Sequence, residues 1–80
     1  MKTEKTLAEM TDGEAGMVVR VSTSAVLSRR LSAMGLGVGT RVTKTKALFL
    51  RGPVAVKAGS TRIALGRETA DRITVCVERG

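Results

Sequence analysis

The stretch LSAMGLGVGTRV, residues 31–42, constrains this chain more than any other, because it sets Gly35, Gly37 and Gly39 between a helical pattern and a strand pattern. Glycine takes a positive φ without steric cost, so such a cluster marks either a sharp turn or a backbone laid close against a ligand. Phosphate-cradling loops run strand, glycines, helix, because the anion sits on the partly positive helix N-terminus. Here the order is helix, glycines, strand. Gly35 falls at a helix C-terminus, whose partial negative charge repels phosphate. The Lys-Ser/Thr ending of a nucleotide-binding loop is also missing. The cluster predicts a turn, not a nucleotide site.

The helix it ends is STSAVLSRRLSAMG. Ser22, Thr23 or Ser24 can cap its start. Leu27, Leu31 and Met34 follow at i, i+4 and i+7 as an apolar stripe, and Arg29, Arg30 and Ser32 fall largely off it, toward solvent. Gly35 supplies the positive φ of a helix stop, after which Leu36 can fold back onto Leu31.

Elsewhere the patterns are short. Leu7 and Met10 in TLAEMTDGEAG suit one helical turn, broken by Asp12-Gly13. GMVVRVS reads as a strand with Met17, Val19 and Val21 on one face and Val18 and Arg20 on the other. GTRVTKTKALFL reads as a basic strand running to a turn near LRGP. PVAVKAG and TRIALG form a hairpin through Ala58-Gly59-Ser60, with Val54, Val56, Ile63 and Leu65 inward. RETADR offers a helical turn, and ITVCV closes the pattern with Ile73, Val75 and Val77 inward. The expectation is a mainly β chain, a small antiparallel barrel of about five strands with one or two short helices.

At 80 residues the chain is expected to form one domain. With one Phe and no Trp or Tyr, aliphatic side chains and Met must supply the core. The absence of histidine removes the commonest general base and the commonest transition-metal ligand together. Cys76 has neither a CxxC partner nor an imidazole to activate it and reads as an inert thiol. Glu68 and Asp71, beside Arg67 and Arg72, read as a salt-bridged solvated face. Enzyme activity and tight metal binding are therefore not expected, and no cofactor is implied. No N-terminal apolar signal and no run near the length of a membrane span is seen, which points to the cytoplasm.

The formal charge of +7 favours an acidic partner surface, nucleic acid or anionic lipid. Single-strand and RNA binders usually stack bases on aromatic rings, and this chain has only Phe49. Its basic residues also read as dispersed along the chain. A nonspecific nucleic-acid-binding basic barrel is the alternative reading.

Three segments in order, LAEMTDGEAGMVVRV, RRLSAMGLGVGTRV and GPVAVKAGSTRIALGRETADRITV, resemble the FeoA family, small cytoplasmic SH3-like proteins of bacterial ferrous iron uptake. The likeness runs from Leu7 to Val77. It is most specific at Arg30-Leu31, Met34-Gly35-Leu36 and Gly39. What the resemblance implies is an SH3-like barrel and a noncatalytic accessory role, binding the cytoplasmic part of the FeoB permease; the positive charge would then meet acidic protein or the anionic inner membrane face. The family pattern carries a small or acidic residue just before the proline of the Pro53 turn, where this chain has Arg51-Gly52 and is more basic. Two candidate partner-binding surfaces follow from the residues. One is the exposed helix face and its stop, Arg29, Arg30 and Leu36. The other is ALFLRGP, where Leu48, Phe49 and Leu50, followed by Arg51, break the strand alternation; they either protrude as a patch or, in the case of Leu48 and Leu50, plug one end of the barrel.

Overall fold

Helix α1, Ala25–Ala33, starts and stops on the residues that the sequence marks. Ser24 is the cap: its Oγ accepts the Leu27 N–H at 3.2 Å, satisfying a backbone donor that the first turn leaves open. At the other end Gly35 has φ +95°, the Leu36 N–H donates to the Leu31 carbonyl (2.8 Å), and the Gly35 N–H donates to that of Ser32 (3.0 Å). This pair of bonds is a Schellman stop, which reverses the chain and satisfies two orphaned carbonyls. The turn then docks on the sheet, since the Gly39 N–H donates to the Val18 carbonyl and the Val18 N–H to that of Thr40.

A computed structural model describes residues 1–46 and 52–78. Six strands, β1 Lys2–Thr6, β2 Ala15–Val21, β3 Arg41–Lys44, β4 Val54–Ala58, β5 Thr61–Leu65 and β6 Ile73–Glu78, form one antiparallel sheet. The order is β1-β6-β2-β3-β4-β5, which leaves β1 and β5 as the outer strands. A 3-10 turn, Leu7–Glu9, links β1 to β2, and the short helix α2, Arg67–Ala70, links β5 to β6. The fold is mainly β with two short helices, as expected, but β1 is an addition. Its sequence, KTEKT, carries no large apolar residue, so no alternation betrays it; pairing with β6 makes it a strand.

The core draws alternate residues from β4, β5 and β6: Val54 and Val56, Ile63 and Leu65, and Ile73, Val75 and Val77. Leu31 and Leu36 cover it from the helix, and Leu7 and Met10 from the first turn. Two expectations about this core are corrected. Met34 is 45% exposed, because the Schellman stop carries the chain away and gives its place over the core to Leu36. In β2, Val18 is fully buried while Met17 is exposed. Val18 pairs with Val75 and Arg20 with Thr74, so Val19 is an extra residue. That bulge turns Val21 back against the core, so the inward residues are three apart rather than two.

Strand β3 ends at Lys44, sooner than the basic-strand reading suggested. Its backbone pairs with the Thr11–Glu14 turn: the Gly13 N–H donates to the Lys44 carbonyl and the Lys44 N–H to that of Glu14, both at 2.8 Å. The buried Lys44 ammonium donates to Asp12 Oδ1 (3.3 Å) and to the Thr45 carbonyl (3.2 Å). Lys5 and Glu14 pair beside it at 3.2 Å. The expected pairing of Glu68 and Asp71 with Arg67 and Arg72 is absent among the described residues. Arg72 instead reaches the Ser22 carbonyl at 3.5 Å.

Candidate functional site

Arg29 and Arg30 stand exposed on α1, where the capped helix and its stop hold them away from the core. Arg30 lies one turn before Met34, on the same stripe as the exposed Val26 and Ala33, so cations and apolar groups share this face. The third residue assigned to that surface, Leu36, is fully buried. It closes the helix stop and belongs to the core, because the reversal at Gly35 points it inward. Leu48, Phe49, Leu50 and Arg51 lie outside the described residues.

The end of α1 borders β5. A shallow groove of about 530 Å³ runs between them, lined by Ala33, Met34, Thr61, Arg62, Ile63 and Ala64. Arg62 is exposed there, and so is its cross-strand partner Lys57 on β4, outside the groove. Two like charges directly opposite each other on a sheet are mildly unfavourable without a counter-charge. Neither side chain has an acidic partner among the described residues.

This local imbalance is part of a larger one. All seven acidic residues lie before Ala15 (Glu4, Glu9, Asp12, Glu14) or after Arg67 (Glu68, Asp71, Glu78). The chain from Ala15 to Arg67 therefore carries positive charge only. The three ion pairs among the described residues join Lys5, Arg20 and Lys44 to acidic groups of the N-terminal segment. Arg29, Arg30, Lys57 and Arg62 are left without protein counter-charges among those residues. Basic groups that read as dispersed thus divide in the fold into those that meet an N-terminal carboxylate, Lys5, Arg20 and Lys44, and these four, which do not. The missed signal was the gap in acidic residues, which shows when the charges are read by sign rather than one at a time.

Among the described residues no catalytic constellation is present. Cys76 is half-buried on β6 beside a second shallow groove that includes Lys2, Met17, Arg41 and Glu78, and the sequence holds no imidazole to activate it. Among the described residues no three thiol or carboxylate side chains gather as a cation site. Among them, too, no helix is long and apolar enough to cross a membrane.

A six-stranded antiparallel sheet with two short helices, one of them capped at both ends, defines a small mainly β domain of the SH3-like class. More closely, the chain belongs to the FeoA domain family, whose model matches residues 5–77. A crystal structure of an iron uptake regulatory protein, FeoA, superimposes with a TM-score of 0.86 at 28% identity, covering 95% of this chain and 100% of that one. FeoA of Stenotrophomonas maltophilia, solved with zinc and described as a prokaryotic SH3-domain protein, gives 0.73 at 30% identity, covering 88% and 87%. A manganese-dependent transcriptional repressor gives 0.82 at 23% identity over 98% of this chain and 44% of its own, a likeness of fold alone. No curated protein sequence matches the chain significantly.

Proposed function

We propose that this chain is an accessory protein of ferrous iron uptake that docks on the cytoplasmic part of a FeoB-type permease through the exposed face of α1. The observation that carries the reading is the pair Arg29 and Arg30, exposed and without protein counter-charges among the described residues, on a helix fixed at both ends. Val26 and Met34 add apolar contact area beside the charges. The solved relatives support the iron assignment: one is described as an iron uptake regulatory protein, and the one from Stenotrophomonas as possibly a ferrous iron transport activating factor. Leu48, Phe49, Leu50 and Arg51, the other surface that the sequence marks, are proposed as a second contact and lie outside the described residues. The anionic inner face of the membrane adds attraction of about 1 kcal/mol for each nearby Lys or Arg.

The test is a calorimetric titration against the permease's cytoplasmic domain at low and moderate salt. Saturable binding that weakens with salt is expected, and Phe49→Ala is expected to weaken it with an unchanged melting temperature. Absence of binding at low salt removes the reading. Tight, steeply salt-dependent binding to DNA or RNA in its place would establish the nucleic-acid alternative.

A further inference from the structure

Strand β5 ends the sheet, and the hairpin register fixes which of its backbone groups are free. Residues Ala58 and Thr61 close the two-residue turn, so Val56↔Ile63 and Val54↔Leu65 share their parity and exchange ladder bonds. The alternate pairs, Lys57↔Arg62 and Ala55↔Ala64, turn their N–H and C=O groups the other way. The bond from the Thr45 N–H to the Ala55 carbonyl (3.0 Å) is an independent check, since it shows Ala55 facing β3 and hence its partner Ala64 facing outward. Among the described residues nothing pairs with the outward groups of Arg62 and Ala64.

We propose that this edge takes up an extended acidic segment of a partner protein as an added strand. The free amides and carbonyls supply the ladder, as in other cases of strand addition. The groove beside them offers Ala33 and Met34 to apolar side chains on one face of the incoming segment. Arg62 and Lys57 offer charge to acidic side chains on the other, and relieve their mutual repulsion by doing so. Charge also selects against other occupants. A second copy of this chain brings the same basic edge and is repelled, which is how native sheets guard a free strand. A nucleic acid has no peptide ladder to offer, and none of the described residues provides an aromatic ring for its bases. The inference rests on the strand edge and holds whichever protein supplies the segment.

The experiment is an amide NMR titration of the full chain with an end-blocked peptide of alternating Glu and Val. Its Lys-for-Glu counterpart and a version N-methylated at alternate amides serve as comparisons. Shifts centred on the Arg62 and Ala64 amides are expected with the acidic peptide alone. Ala64→Pro deletes an outward donor without touching the β4 ladder, a place where sheets tolerate proline, and is expected to abolish binding while the protein stays folded. Arg62→Glu is expected to weaken binding at least about tenfold, and it decides the matter if Ala64→Pro does not fold. The proposal is overturned by undisturbed Arg62 and Ala64 amides, by equal binding of the Lys or N-methylated peptide, or by unchanged affinity in a folded Ala64→Pro or Arg62→Glu protein. Stronger shifts of the same amides with single-stranded DNA overturn it in favour of a nucleic-acid edge.

Discussion

The backbone N–H of Leu36 donates to the carbonyl of Leu31 at 2.8 Å, and both side chains are buried in the same core. One bond thus reverses the chain after α1 and one apolar contact anchors the reversal. Leu36→Ala is expected to destabilise the fold by about 2–5 kcal/mol, the range for truncating a buried leucine. Chemical denaturation measures it. A loss of only a few tenths of a kcal/mol contradicts the packing described.

The glycines of the same turn are not equivalent, and substitution separates them. Gly35 sits at φ +95° with only an ordinary contact to Ala58 Cβ at 4.0 Å, so Gly35→Ala suffers from backbone strain rather than crowding. The expected loss is about 1–2 kcal/mol. At Gly37 the backbone is ordinary and an added Cβ meets the Ser32 Oγ at 2.8 Å, a hydroxyl that can rotate away. Thermal melts of the two alanine variants should therefore show the larger drop for Gly35→Ala; the reverse order contradicts the account.

Crowding dominates elsewhere, at Gly16 in β2. A Cβ there comes within 2.8 Å of the Cys76 carbonyl oxygen and of Val77 Cγ1, and the first of these is backbone of the paired strand. Gly16→Ala must push β2 and β6 apart, at an expected cost of about 1–3 kcal/mol. Slower-exchanging amides of β6 should lose protection in hydrogen exchange. Unchanged protection rules out the close approach.

Much of this architecture was legible because local chemistry and tertiary packing agree. Helix α1 announces itself through Ser24 and Gly35, and the β4–β5 hairpin through Gly59-Ser60 between alternating valines and their partners Ile63 and Leu65. What was not legible depends on neighbours distant in sequence. The bulge at Val19 exists because β2 meets β6, so the period-two reading set Val18 apart from Val21, whereas both face the core. Strand β1 has no apolar signature and is defined by its partner. In the candidate site, the exposure of Arg29 and Arg30 followed from helical spacing, whereas the burial of Leu36 required knowing that the reversal aims it inward. The edge position of β5, and the meeting of Met34 with Arg62, follow only from the strand order.

The central claim is that the basic face of α1 is a docking surface and not merely a solvated one. Its most direct test is the affinity of the Arg29→Glu/Arg30→Glu protein for the permease's cytoplasmic domain, measured beside the unaltered chain at two salt concentrations. Glutamate in the last turn of α1 opposes the helix dipole at a cost of about 1 kcal/mol, so the melting temperature should fall by only a few degrees and the fold should hold. The account predicts a loss of affinity of about tenfold or more that shrinks as salt rises. Equal affinity of the two proteins at low salt, with both folded, would contradict it.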